Sequence, residues 1–320
     1  MQVNAGKIVV LGTGGTIAGK AGTAGDNIGY VAGQVGVQDL LDAVPGLAEA
    51  AQGPLVVEQI AQIDSKNMEF SVWAALARRC SEHLNDDSVR AIVVTHGTDT
   101  LEETAWFLHS VLDARKPVVL ACAMRPATAI APDGPQNLLD ALAVVNAPGA
   151  HGVLAVCAGA VHGARQVQKM HPYRVDAFSS GEGGPLGWIE EGRVRLAQNW
   201  SQTQAGWALI ALEKIAIDAP WPRVEIVMNY AGASGAMVDA LVRDGVQGLV
   251  VAATGNGTLH HALQAALERA QQAGLAVRVT TRCPLGQVLS LPGVHAALPL
   301  APGLIPVKAR VSLLLELLCA

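Results

Sequence analysis

Short apolar runs rich in β-branched residues recur through the first half of the chain, at 8–11, 55–60, 91–94, 117–122 and 153–157. Runs of this length, bounded by Gly, Pro and polar clusters, predict strands with both faces covered. Between several of them lie longer amphipathic segments. Those at 37–44, 68–84, 100–112 and 136–145 predict helices, and the first is stopped by Pro45-Gly46. Residues 158–222 read as irregular, being rich in Gly, Pro and Trp. The alternation then resumes, with strands predicted at 223–228, 248–253 and 276–280 and helices at 234–242, 258–272 and 307–318. Strand and helix in alternation build a mostly parallel sheet. The expected fold is therefore α/β: a larger N-terminal domain (1–195) with a parallel or mixed sheet flanked by helices, a linker (196–222) and a smaller C-terminal α/β domain (223–320).

Composition narrows the function classes. The chain is 51% hydrophobic and 4% aromatic with 34 glycines, which suits buried strands, tight turns and small-residue helices. A net charge of -5 offers no electrostatic footprint for nucleic acid. No stretch reaches the ~18 apolar residues of a membrane span. The N-terminus enters its first strand without a basic start and a separate apolar core, so no signal peptide is expected. The five cysteines, Cys80, Cys122, Cys157, Cys283 and Cys319, are odd in number and scattered. They predict buried thiols in a reducing compartment rather than a disulfide framework or a zinc site.

Candidate chemistry lies at two strand ends, where open parallel sheets bind ligands. The first reads Leu11-Gly12-Thr13-Gly14-Gly15-Thr16-Ile17-Ala18-Gly19-Lys20-Ala21. A phosphate loop fails at Ala21, which has no hydroxyl for Mg²⁺, and a dinucleotide fingerprint fails at Ile17, where a third glycine belongs. A tight turn alone would explain the glycines. A threonine directly after two of them also lets a ligand approach a hydroxyl and the surrounding amides closely. The second end reads Thr95-His96-Gly97-Thr98-Asp99-Thr100. Capping of the following helix by Asp99 or Thr100, with Glu102 and Glu103 in its first turn, accounts for part of it. It leaves Thr98-Asp99 as a pair facing the crevice.

Thr13-Gly14-Gly15-Thr16-Ile17-Ala18 and His96-Gly97-Thr98-Asp99-Thr100 together resemble the two signatures of the bacterial-type L-asparaginase family. The resemblance extends to Tyr30-Val31-Ala32-Gly33-Gln34-Val35-Gly36, Ile63-Asp64-Ser65, Ala123-Met124-Arg125-Pro126 with Asp133-Gly134-Pro135, Lys169, Gly184-Pro185-Leu186-Gly187, Asn229-Tyr230-Ala231 and Gly255-Asn256-Gly257. It thus covers nearly the whole chain. It implies a cytoplasmic amidohydrolase that converts L-asparagine to L-aspartate and ammonia, with glutamine as a weaker substrate and no metal or organic cofactor. It also implies a homo-oligomer, usually a tetramer of intimate dimers, with active sites at the dimer interface.

The same resemblance assigns residues. Thr16 matches the nucleophile and Tyr30 the hydroxyl that accompanies it on a flap, which the Gly-rich stretch 19–25 would let open and close. Thr98, Asp99 and Lys169 match a second catalytic cluster. An unperturbed lysine titrates near ~10.4, so the role expected of Lys169 beside Asp99 is to orient Thr98 and stabilise charge. Ser65 and Asp99 match the groups that hold the α-carboxylate and α-amino group of the substrate, Thr98 also contacts it, and Ala123 offers a backbone carbonyl to the scissile amide. Asp64 has an alternative in turn chemistry, and His96 is read as structural.

This chain also departs from the pattern. Many relatives bring a Glu and an Asn from a neighbouring subunit to the substrate amino group. Thr258 stands at the Asn position here, and no acid follows Arg282 before Glu316. The missing acid motivates one alternative, a related amidohydrolase for another small amide. The Gly-rich turn offers a second, from a different class, a nucleotide-binding protein, against which Ala21 and the absent third glycine stand.

Overall fold

The computed structural model describes residues 6–23, 25–200, 208–216, 220–290 and 298–320. The chain separates into two compact units, Met1–Leu212 and Glu213–Ala320. In the first, strands β1 (Lys7–Gly14), β2 (Leu55–Ile63), β3 (Val89–Thr95), β4 (Pro117–Ala121) and β5 (Gly152–Cys157) alternate with helices α1 (Val37–Asp42), α2 (Leu47–Ala51), α3 (Phe70–Leu84), α4 (Leu101–Val111) and α5 (Gly134–Val145). These five strands are all parallel, in the order β2-β1-β3-β4-β5.

The stretch expected to be irregular after residue 157 holds five further strands. They are β6 (Ala160–Gly163), β7 (Gln168–Lys169), β8 (Phe178–Ser179), β9 (Gly187–Glu190) and β10 (Arg193–Leu196). Three of them, β6, β9 and β10, extend the sheet antiparallel to eight strands among the described residues. β7 and β8 pair separately. Strands of two to four residues joined by Gly-containing turns carry too short a pattern to be read from sequence. The segment expected as a linker holds helix α6 (Ala208–Ala216). Its Ala-Leu-Ile-Ala-Leu-Glu-Lys-Ile-Ala composition favours a helix despite the Gly, Trp and Pro on either side.

Burial explains why the parallel strands hold their register. Alternate residues Ile8 and Val10, Ala91 and Val93, Val119 and Ala121, and Leu154 and Val156 join one core with Leu40 and Leu41 of α1, Leu47 of α2 and Leu138 and Leu142 of α5. A one-residue slip of any strand would turn these side chains away from that core. Trp73 of α3 stacks on Phe107 of α4, with ring centroids 4.7 Å apart, and its Nε1 donates to Thr104 Oγ1 at 2.8 Å.

The second unit is a parallel sheet of β11 (Val224–Met228), β12 (Gly248–Ala253) and β13 (Ala276–Thr281), with helices α7 (Ala236–Arg243), α8 (His261–Gln272) and α9 (Pro306–Cys319). Val238, Leu249, Val251, Leu263, Leu267 and Val277 form its core.

In the first unit the connection after β1 leads outward to β2, while β3, β4 and β5 add on the opposite side. The order therefore reverses between β1 and β3, the point at which open α/β sheets present a crevice. Two glycines meet there. Gly15 has φ 83°, and a Cβ on it would lie 2.3 Å from Gly97 Cα. Gly15→Ala should therefore combine backbone strain with a main-chain collision and cost about 3 kcal/mol or more. Urea unfolding measures this, and a variant with an unchanged midpoint would contradict the close approach.

Candidate active site

Hydrogen bonds to the backbone bring four strand-end segments together. Thr13 Oγ1 donates to Thr95 O at 2.8 Å, tying the end of β1 to that of β3. Gly15 N donates to Ile63 O at 2.8 Å, tying it to the end of β2. His96 N donates to Ala121 O at 2.9 Å and joins β4. Thr16, Ser65 and Thr98 are all buried, and each stands just beyond one of these ends.

Thr16 opens a single 3₁₀ turn, Thr16–Ala18. Its Oγ1 lies 2.7 Å from the Tyr30 hydroxyl, and either oxygen can be the donor. Tyr30 is placed by a bridge at the base of its segment, where Lys20 N donates to Val31 O and Val31 N to Lys20 O. The segment is also latched to the loop after β4. Ala127 N donates to Gly19 O at 3.0 Å and Ala21 N to Thr128 Oγ1 at 2.8 Å. Beyond the bridge, Asp26 accepts the N–H groups of Ile28 and Gly29, and these bonds hold its carboxyl below the ordinary range.

The second cluster centres on Lys169 of β7. Its Nζ donates to Thr98 Oγ1 at 2.7 Å and to Asp99 Oδ1 at 2.6 Å. The lysine side chain is 16% exposed and that of Asp99 52%, so the ion pair stands at the edge of the solvent. A solvated loop position, the ordinary expectation for a lysine, does not describe it. Its backbone N–H donates to Glu102 Oε2 at 2.5 Å. Glu102 in the first turn of α4 thus does more than complement the helix dipole, since it fixes the strand that delivers Lys169. The local sequence gives no sign of this, because 67 residues separate the two.

Ser65 completes the arrangement. Its Oγ accepts the Asp99 N–H at 3.1 Å, which leaves the hydroxyl proton to donate elsewhere. Its carbonyl accepts Thr100 Oγ1 at 2.8 Å. The sequence favours capping of α4 by Asp99 or Thr100. Thr100 does occupy the N-cap position, but its side chain makes no capping bond, because its hydroxyl is used to hold Ser65. Asp64 caps the 3₁₀ turn Ser65–Asn67 through Lys66 N, a turn role. Ala123 follows β4 and is fully buried. Thr258, in the second unit, uses its hydroxyl within its own turn, donating to Thr254 O at 3.0 Å.

His96 takes no part in either cluster. Its Nδ1 lies 2.7 Å from Gly97 O, which requires the proton on Nδ1. Nε2 is buried without a hydrogen-bond partner. Burial lowers its pKa to about 4, so the ring is neutral at pH 7. Among the described residues no group of three His, Cys, Asp or Glu side chains could hold a metal, and all five cysteines are free. No helix is long and apolar enough to cross a membrane, again among the described residues.

The arrangement therefore offers a threonine hydroxyl paired with a phenol, a second threonine hydroxyl paired with an ammonium, a carboxylate and a serine hydroxyl. That inventory suits acyl transfer from a small zwitterion.

Residues 7–202 match the family model described as Asparaginase, N-terminal, and residues 223–317 match Glutaminase/Asparaginase C-terminal domain. The chain is 38% identical over 315 residues to L-asparaginase 2 of Escherichia coli (strain K12), covering 97% of this chain and 88% of that protein. It is 35% identical over 275 residues to the glutaminase-asparaginase of Pseudomonas fluorescens biotype A, covering 84% and 74% respectively. Among solved structures it is similar to the "Probable Cytoplasmic L-asparaginase from Campylobacter jejuni", with a TM-score of 0.90 and 38% identity over 98% of this chain and 95% of that one.

His96 supplies a pH-linked stability test. The unfolded chain takes up its proton as pH falls through about 6.5, whereas the native ring stays neutral until about 4. Stability from this group is complete above pH 6.5 and is lost as pH falls. The loss is about 2 kcal/mol by pH 5 and on the order of 3 kcal/mol by pH 4. Urea unfolding at pH 7.5 and pH 5 should show a larger drop for the wild type than for His96→Gln. Equal drops would mean that the ring is not held neutral.

Proposed function

The chain belongs to the asparaginase family, and on that premise we propose that it hydrolyses L-asparagine to L-aspartate and ammonia with Thr16 as nucleophile. The observation that carries this reading is the pairing of Thr16 with Tyr30 and of Thr98 with Lys169 on either side of the Gly15–Gly97 contact. The substrate's α-carboxylate is held by the Ser65 hydroxyl, whose proton is free because its oxygen already accepts from Asp99 N. The α-ammonium lies against Asp99. Oδ1 of that residue is engaged by Lys169, and Oδ2, unbonded among the described residues, takes the substrate.

The Thr16 oxygen attacks the side-chain amide carbon as its proton passes toward Tyr30. Tyr30, taking up that proton, passes its own on to the amide nitrogen, and the tetrahedral centre then breaks its C–N bond to release ammonia and leave an acyl-Thr16 ester. Water attacks the ester carbon, the Thr16–acyl bond breaks, and aspartate leaves with the hydroxyl restored. Thr98, held by Lys169, orients the attacking water, and the ammonium stabilises developing negative charge. No metal or organic cofactor enters this scheme.

A second reading has its own observation. The neighbouring-subunit Glu and Asn of many relatives have no counterpart in residues 282–290 or at Thr258. With Asp99 alone as the ammonium's carboxylate, a related amidohydrolase acting on another small amide, one whose amino group demands less, also fits. Glutamine carries the same α-ammonium as asparagine and belongs to the first reading as a weaker substrate. We place the protein in the cytoplasm, in keeping with its free cysteines and with the description of the Campylobacter relative. Residues 1–195 form a catalytic domain and 223–320 a second domain, joined through 196–222. The assembly is a homo-oligomer, a dimer or a tetramer, with active sites at its interface, and light scattering on the purified protein measures its mass.

Ammonia release from L-asparagine, L-glutamine and D-asparagine tests both readings. L-asparagine should be the fastest of the three. Thr16→Ala should lower kcat by about 10³-fold or more with KM little changed. Silence on all three amides from folded protein would end the asparaginase reading. Lys169→Met should lower kcat by about 10²-fold or more while the melting temperature stays near wild type. A fully active Lys169→Met variant would remove Lys169 from the mechanism.

A further inference from the structure

We infer that Asp133 is a positioning residue for amide hydrolysis: by gripping the Met124 N–H it aims the Ala123 carbonyl at the scissile amide nitrogen. The inference rests on the asparaginase reading of this site.

Ala123 is 0% exposed, yet among the described residues its carbonyl accepts no hydrogen bond. The preceding carbonyl, of Cys122, does accept one, from Asn137 Nδ2 at 2.8 Å. A buried carbonyl without a partner is costly and uncommon, and at a strand end beside a reaction site it is an acceptor held ready. Its direction is fixed from the other end of the same peptide. The Ala123–Met124 bond is trans, as all are among the described residues, and in a trans peptide the N–H and C=O point opposite ways. Met124 N donates to Asp133 Oδ2 at 2.9 Å and Arg125 N to Asp133 Oδ1 at 2.9 Å. The carboxylate thus draws the N–H toward α5 and turns the Ala123 oxygen away from it.

Asp133 stands at the N-cap of α5, where an aspartate ordinarily binds the N–H groups of its own helix. Its side chain makes no such bond, and both oxygens serve the loop instead. Asn137, one turn along and buried, braces the carboxylate. Its Nδ2 reaches Asp133 Oδ2 at 3.3 Å, and its Oδ1 accepts Ala158 N at 3.0 Å. An N–H bonded to a charged carboxylate also polarises its peptide, which makes the linked carbonyl a stronger acceptor.

This matters most as the C–N bond breaks. The amide nitrogen then gains a proton and its N–H groups become better donors, so a fixed carbonyl binds the transition state more tightly than the ground state.

The test compares L-asparagine with L-aspartate β-methyl ester, whose leaving methoxy group has no N–H to offer. In Asp133→Asn one side-chain oxygen can still accept, but the amide NH₂ faces the other backbone donor. The variant should lose at least about tenfold more kcat/KM on asparagine than on the ester. Asn137→Ser, which keeps Asp133 and removes its brace, should shift the ratio in the same direction by less. Partial unfolding scales both activities equally, so the ester-to-amide ratio remains readable in a destabilised variant. A ratio unchanged within about twofold in both variants would overturn the inference. If the wild type shows no Thr16-dependent hydrolysis of either substrate, the asparaginase reading fails first.

Discussion

Where β1 and β3 end side by side, Gly15 and Gly97 touch through bare backbone, and the rest of the site is arranged around that contact. A side chain on either would strike the neighbouring turn: a Cβ on Gly97 would lie 2.4 Å from Ser65 Oγ, and one on Gly15 even closer to Gly97. The main chains can approach because parallel neighbours at this point diverge to different connections. With the glycines in contact, the next residue of each strand end, Thr16 and Thr98, flanks one crevice. The Thr13–Thr95 bond and the Gly15–Ile63 bond keep the strand ends level.

Around that point the structure separates two kinds of polar partner. Thr16, which is buried, pairs with another hydroxyl, that of the half-buried Tyr30. Thr98 is tied instead to an ion pair with one exposed member. The ion pair thus stands on one side of the crevice, at a rim where Asp99 meets solvent. His96 lies inside the same turn, yet burial keeps it neutral, so it adds no charge to the crevice. The donors and acceptors left over suit a zwitterionic amide: a serine proton, one carboxylate oxygen and a backbone carbonyl.

Rigidity comes from side chains outside the crevice. Thr100 holds Ser65 rather than capping its helix, Glu102 holds the backbone of Lys169, and Asp133 holds the loop after β4 rather than capping α5. In each case a residue at the start of a helix, with a local role available to it, bonds across to another segment. Such bonds fix the polar groups at the strand ends without filling the crevice between them.

The sequence alone determined the parallel strands of both units, because uninterrupted β-branched runs have few other stable homes. It also determined the two glycine turns, whose residue types follow from close backbone approach, and with them the threonines that could react. The short antiparallel strands after residue 157 and helix α6 were not legible, since two to four residues carry no periodicity and the helix stands among Gly, Trp and Pro. Lys169 could be singled out only through its resemblance to a family. Nothing near it in the chain marks it as a partner of Thr98, 71 residues away. That pairing, the Glu102 grip and the Asp133 clasp were decided by tertiary structure. The reason is physical: local pattern sets which residues lie on a strand, but sheet order decides which strand ends become neighbours.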